Sequence, residues 1–284
     1  MQLFNNPQAM QDFALNHKRQ GRTIGLVPTM GYLHAGHLSL VKLARSQNDV
    51  VIVSVFVNPT QFGEGEDFED YPRNLEQDLE RLQAENVDAC LAPTPVDMYP
   101  PDFSSQVLVN GEITAKLCGR SRPVHFQGVT TVVSKLFHIC QPDRAYFGQK
   151  DAQQASVIEK MVRELNFPVT IVRGPIIREN DGLAMSSRNV YLTPAERQEA
   201  TALSRSLQHA RELITAGERD PQAIIQAVAD VIRRETSGKI DYIEVVQAYD
   251  LHALTRLEGR VLIAMAIKFS QARLLDNMIV EVGA

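Results

Sequence analysis

A chain of 284 residues with 44% apolar and 22% charged side chains has the make-up of a soluble globular protein with a core large enough for two domains. Its 34 acidic and 29 basic side chains leave a formal charge of −5, which speaks against a binder of nucleic acid or anionic membrane. The longest apolar stretches, 50–57 and 261–267, are strand-sized and too short to cross a bilayer.

The N-terminal stretch has no basic start followed by an unbroken apolar run. It is expected to be an amphipathic helix of a cytoplasmic protein rather than a signal peptide. Strands are expected at 22–27, 50–57, 87–92, 144–147 and 169–172, with helices at 38–47, 71–86 (Pro72 near its start), 128–140 and 151–166. Strands this apolar, alternating with helices, imply a doubly wound α/β domain with a parallel sheet covered on both faces. Its ligand is expected at the carboxyl ends of the strands. After about Gly174 a loop leads to long helices over 193–216 and 221–236, then strands near 240–248, 260–268 and 273–281. This order predicts a smaller α+β domain with an antiparallel sheet, giving domains 1–175 and 176–284. Segment 215–221 reads as a helix–helix turn and the acid-rich 64–70 as a solvated loop. Cys90, Cys118 and Cys140 are odd in number and lack metal or disulfide spacing, so they are expected as buried apolar residues.

The segment VPTMGYLHAGH, 27–37, fills the first strand-to-helix turn, where such sheets present N–H groups to phosphate. It is neither a G-x-G-x-x-G nor a Walker loop. Instead it offers Gly31 and Gly36 for close backbone approach, and His34 and His37 spaced to face one ligand from a helix start. Imidazole N–H groups donate to phosphate oxygens, and the helix N-terminus favours the charge. The competing readings are a helix cap beside a packed ring, or a two-histidine metal site; no Cys or acid at ligand spacing accompanies the pair.

HAGH resembles the His-x-Gly-His signature of the nucleotidyltransferase superfamily. VPTMGYLHAGH, VSVFVNPTQF, SRPVHFQGV, QPDRAYFGQKDAQQ and RENDGLAMSSRNVYL, in that order, resemble the pantothenate synthetase family over about 22–194, and more weakly to the end. The resemblance implies an ATP-dependent ligase that joins pantoate to β-alanine through a pantoyl adenylate, releasing AMP and pyrophosphate. It also implies magnesium carried with ATP and a homodimer. A carboxylate is a poor acylating agent until adenylated, so donors around the triphosphate carry most of the catalysis.

By resemblance, His37, His34 and Lys150 are the catalytic residues. The ATP site takes in Met30, Gly31, Tyr32, Leu33, His34, Ala35, Gly36 and His37 of the first turn. It continues with Gly148, Gln149, Lys150 and Asp151 of a second turn, and with Ile177, Met185, Ser186, Ser187 and Arg188. The last three stand where the superfamily has its Lys-Met-Ser-Lys-Ser loop and offer two hydroxyls and a guanidinium to phosphate. Pantoate pairs a carboxylate and hydroxyls with a gem-dimethyl carbon, so Gln61 and Gln154 are expected as its amides, and Pro28, Met30, Phe62, Val132 and Val133 as apolar walls. The resemblance also gives Gln61 a part in receiving β-alanine; Gln153 is expected as an ordinary surface amide. Two departures stand out: Gln149 where the family pattern has Glu, and Val124 where it has Gly. Val124 cannot adopt the positive φ open to glycine, so the loop is reshaped there if the family's glycine needs unusual dihedrals, and Arg122 and His125 are secondary site candidates. No protein metal ligand is expected. Other readings are a different nucleotidylyltransferase, an aminoacyl-tRNA synthetase, or a non-catalytic nucleotide-binding module. The paired amides, the small second domain of an acidic chain, and the intact donor set weigh against them in turn.

Overall fold

Six short runs become the strands of one parallel sheet: β1 (Gln2–Phe4), β2 (Ile24–Thr29), β3 (Val50–Val55), β4 (Ala89–Leu91), β5 (Arg144–Gly148) and β6 (Thr170–Gly174). They lie in the order β1-β4-β3-β2-β5-β6 in the computed structural model, which describes residues 1–283. The helices in chain order are α1 (Pro7–Arg19), α2 (Ala35–Gln47), α3 (Leu75–Ala84), α4 (Pro95–Met98), α5 (Glu112–Ala115) and α6 (Cys118–Ser121). They continue as α7 (His125–Cys140), α8 (Ala152–Glu164), α9 (Pro194–Glu199), α10 (Ala202–Thr215) and α11 (Pro221–Glu235). Chain contacts group Met1–Val109, Arg122–Gln149 and Val157–Pro175 into one unit, and Asn110–Ser121, Lys150–Ser156 and the chain from Ile176 onward into another.

In the first unit β3 and β4 are buried at nearly every position, as a parallel sheet covered on both faces requires. Val41 and Ala44 of α2 and Leu82 of α3 pack on Val27, Val51, Val53 and Cys90. The N-terminus departs from the expected helix: Gln2–Phe4 form an edge strand in register with Ala89–Leu91, and α1 starts only at Pro7, capped by Asn6. Three residues are too few for strand periodicity to emerge from sequence. Pro72 lies outside α3, whose cap is Asn74, accepting the N–H of Gln77.

The second unit holds an antiparallel sheet of β7 (Lys239–Gln247), β8 (Gly259–Lys268) and β9 (Arg273–Val282). Leu203 and Leu207 of α10 and Ile224, Val228 and Ile232 of α11 share a core with Ile263, Met265 and Ile267 of β8. The single helix expected over 193–216 is two. Thr201 N–H donates to Gln198 and Leu203 N–H to Ala200, a three-residue spacing that tightens the backbone between α9 and α10. All three cysteines are buried, but the surroundings of Cys118 are polar: its Sγ lies 3.4 Å from Tyr242 Oη and 3.5 Å from Arg273 Nη1.

Candidate active site

β2 has β3 on one side and β5 on the other, so the order of the sheet reverses between β2 and β5. At such a switch point the turns beyond the strand ends diverge and leave a crevice. The turn after β2 is 30–34, and the turn after β5 begins at Gln149.

In the first turn Gly31 and Tyr32 have φ of +80° and +49°. A Cβ on Gly31 would stand 2.9 Å from both Asp78 Oδ2 and Val55 Cγ1, so φ and space both demand glycine. The side chain of Leu33 is buried in the core beside α2, which leaves only its backbone at the turn. His34 caps α2: its Nδ1 accepts Gly36 N–H at 3.1 Å, and His37 Nδ1 accepts His34 N–H at 3.3 Å. The helix cap and the pair expected to face a ligand are thus the same two residues. Acceptance at Nδ1 puts the proton of each neutral ring on Nε2. The rings stand 4.0 Å apart, centroid to centroid, 31° from parallel.

Gln61 sits on a short 3₁₀ turn, Pro59–Gln61. Its Oε1 accepts from Asn58 Nδ2 at 3.1 Å, and its Nε2 lies 3.1 Å from Met30 Sδ. Asn58 is itself fixed: its Oδ1 accepts from Tyr99 Oη at 2.7 Å and Thr60 Oγ1 at 3.0 Å, while Nδ2 also donates to Gly128 O. This chain leaves Gln61 only its N–H₂ end for an acid. α7 approaches the turn so closely that a Cβ on Gly128 would lie 2.3 Å from Thr60 O. Of the expected walls, Met30 meets Gln61, Val132 and Val133 are buried in α7, Pro28 is half-buried at the end of β2, and Phe62 stacks edge-on with Phe68 and Tyr71.

Arg122 and His125 also meet Gln61. His125 Nδ1 donates to its carbonyl at 3.0 Å, Arg122 Nη2 donates there at 3.3 Å, and Arg122 Nη1 faces His125 Nε2 at 3.4 Å. Arg122 grips Glu66 through both carboxylate oxygens. Burial works against the Glu66 charge, but the Arg122 guanidinium prevails and its carboxyl lies below its ordinary value. Glu66 is therefore an anchored part of a loop expected to be wholly solvated. Val124 has φ −90° and ψ −11°, right-handed backbone open to any residue, so in this chain the position places no demand for glycine.

Gly148 ends β5, and Gln149 Oε1 accepts from Arg173 Nη1 at 3.4 Å. Arg173 is already paired with both oxygens of Glu159, so a neutral residue at 149 leaves no bare charge. In the second unit Lys150 Nζ lies 3.5 Å from Asp151 Oδ1, and Asn277 Nδ2 donates to Lys150 O at 2.9 Å. The neighbouring Asp276, buried, takes Arg178 bidentately at 2.7 and 2.9 Å. Burial nonetheless raises its carboxyl. Ile177 O accepts Met185 N–H at 2.9 Å, so these two predicted residues pair across their loop. Ser186 caps the 3₁₀ turn Ser187–Tyr191 by accepting Arg188 N–H at 3.3 Å, and Ser187 is buried. Gln154 is half-buried. Gln153 is not the surface amide expected: it is buried, accepting Cys118 N–H and donating to Ile113 O and Lys116 O.

A family profile described as Pantoate-beta-alanine ligase matches residues 2–279. The chain belongs to the pantoate–β-alanine ligase family. It is 61% identical over 282 residues to the pantothenate synthetase of Syntrophomonas wolfei, covering 99% of this chain and all of that one. It superposes on the crystal structure of pantothenate synthetase from Thermus thermophilus with a TM-score of 0.94 at 44% identity, each chain fully covered. It also superposes on the pantoate-β-alanine ligase of Francisella tularensis, complexed with β,γ-ATP and β-alanine, with a TM-score of 0.82 at 34% identity over 98% of this chain and 97% of that one.

Four residues in contact with candidate residues or their neighbours are not expected from the sequence: Asn58 and Tyr99 in the first unit, and Asp276 and Asn277 in the second. Asn58 and Asn277 lie inside stretches that carry the family resemblance, VSVFVNPTQF and ARLLDNMIVE, and that was the available signal. Asn58 and Tyr99 meet side-chain amides, Asp276 the Arg178 guanidinium and Asn277 the Lys150 carbonyl, contacts that no local spacing encodes.

Proposed function

We propose that the enzyme binds ATP and pantoate on residues 1–175, adenylates pantoate, and transfers the pantoyl group to β-alanine, with residues 176–284 serving as a lid. In the first half-reaction a pantoate carboxylate oxygen attacks the α-phosphorus and pyrophosphate leaves. In the second the β-alanine amine attacks the acyl carbon, AMP leaves, and the nitrogen gives up a proton. The observation that carries this reading is the fixed tautomer of His34 and His37: two neutral rings with N–H donors on Nε2 suit charge moving onto departing pyrophosphate. The likeness to a relative complexed with β,γ-ATP and β-alanine supports the same substrates.

Within this reading Gln61 donates its amide to the pantoate carboxylate, with Met30 as an apolar neighbour, and Gln154 supplies the second amide. Lys150 acts as a point charge on phosphate, and Ser186, Ser187 and Arg188 donate to the terminal phosphates. Met30–Leu33, Ala35, Gly36, Gly148, Gln149, Asp151, Ile177 and Met185 complete the nucleotide site. Among the described residues no group of three or more His, Cys, Asp or Glu side chains is placed to hold a metal ion. Magnesium is taken to enter with ATP, held by the phosphates and water, and no step is routed through it. No helix among the described residues is long and apolar enough to cross a membrane; a cytoplasmic homodimer is the proposed form.

The test is product balance. Purified enzyme with ATP, magnesium, pantoate and β-alanine should form AMP and pantothenate one to one, and no AMP without pantoate. ADP as product, or AMP formed regardless of the acid, would overturn the reading.

A further inference from the structure

Asp78 of α3 is 1% exposed and lies under the first turn. Its Oδ2 accepts Tyr32 N–H at 2.8 Å and its Oδ1 accepts Leu33 N–H at 2.7 Å. Successive left-handed residues, Gly31 and Tyr32, aim neighbouring N–H groups into one concavity, the geometry that elsewhere binds a ligand's anion. Here the anion is the protein's own. Arg81, three residues on, donates to Leu33 O, so α3 holds the same peptide segment from its N–H and its C=O side. Gly31 N–H goes to Thr29 Oγ1 at 3.2 Å, and the N–H groups of His34 and Gly36 go to the two imidazoles. Five consecutive or near-consecutive donors of a turn placed to bind phosphate are therefore occupied from within.

We propose that Asp78 is a positioning residue for the nucleotide site: it fills the backbone nest with a fixed carboxylate and so hands phosphate recognition at this turn to the side chains of His34 and His37. The proposal rests on the adenylation reading above. A carboxylate suits the task because it presents two acceptors to two N–H groups; an amide of the same size turns one acceptor into a donor facing a donor. Gly31 fits the same arrangement, since any Cβ there would press on Asp78 Oδ2.

The test is Asp78→Asn in the full chain, read by circular dichroism and by pantoate-dependent exchange of pyrophosphate into ATP. The expected result is a folded protein whose KM for ATP rises about tenfold or more, while KM for pantoate stays within about threefold, as 1.4 kcal/mol per tenfold implies for one lost charged contact. An unchanged KM for ATP, or equal rises for both substrates, would overturn it. Arg81→Met leaves Asp78 in place and frees only the carbonyl side. It is measured in parallel, is expected to shift KM for ATP selectively by a smaller factor, and decides the matter by the same criteria if D78N does not fold. Absence of exchange in the unsubstituted enzyme would instead count against the adenylation reading, so the two failures are distinguishable.

Discussion

His37 Nδ1 accepts the main-chain N–H of His34 at 3.3 Å, and the two rings lie 4.0 Å apart. One interaction both ends the backbone of the turn correctly and sets which ring nitrogen carries the proton. Stability and chemistry therefore separate by substitution. His34→Asn keeps a good cap acceptor and should hold the melting temperature, whereas His34→Ala should cost about 1 kcal/mol. Both, and His37→Ala, should lower pantoate-dependent exchange by roughly 10²–10³-fold, about 2.7–4 kcal/mol per aligned donor. Thermal denaturation beside exchange kinetics checks this; a His34→Asn enzyme with full activity would show that the ring serves only as a cap.

The Tyr99–Asn58–Gln61 chain predicts a selective defect. Asn58→Ala leaves Gln61 Oε1, which is buried, without the amide that orients it. The loss of about 1–3 kcal/mol expected for an unsatisfied buried group corresponds to roughly a ten- to hundredfold rise in KM for pantoate. KM for ATP should be nearly constant. Steady-state kinetics with each substrate varied distinguishes this from general loss of fold, which would lower the active fraction and leave both KM values alone.

Much of the architecture is legible in the sequence because it rests on local period. The runs that become β2, β3 and β5 are apolar and β-branched enough to show through, and His34, Gly36 and His37 stand close enough in sequence to be seen as one feature. Most of what the sequence did not disclose is non-local, and the rest is too short to carry a period. β1 is three residues long and is defined by its partner β4; the break before α10 depends on a local tightening at Thr201. Glu66 sits in an acidic loop and looks solvated until Arg122, far along the chain, is folded against it. Gln153 looks like a surface amide until its contacts to 113, 116 and 118 are known.

Val124 makes a simple prediction. With right-handed backbone angles and 44% exposure, the valine is unstrained, and Val124→Gly restores the family pattern only at an entropic cost. The variant should lose about 0.5–1 kcal/mol of stability by urea denaturation, with KM for pantoate unchanged. A gain in stability would mean that valine strains the loop.

Glu196 gives the pH dependence. Its carboxylate accepts Ser270 N–H at 2.8 Å and, closing the cap of α9, Thr193 N–H at 2.9 Å. These backbone donors, Ser270 first, push its carboxyl down to about 2 from an ordinary 4.5. The folded value lies below the unfolded one, so the unfolded chain takes the proton first as pH falls. The contribution is complete above about pH 5 and is lost as pH drops through 4.5 toward 2. The urea midpoint of Glu196→Gln should therefore lie below that of the unsubstituted chain at neutral pH, with the gap narrowing below about pH 4.5 and closing only as pH approaches 2. A gap that stays constant across this range would contradict the assignment.

Exchange of labelled pyrophosphate into ATP, with magnesium, without amine, and across a panel of carboxylic acids, tests the central claim most directly. The account predicts exchange with pantoate and not with acids lacking its hydroxyl and gem-dimethyl pattern, because a reversible acyl-adenylate step needs no β-alanine. No exchange with any acid, in a protein that binds ATP, would contradict it.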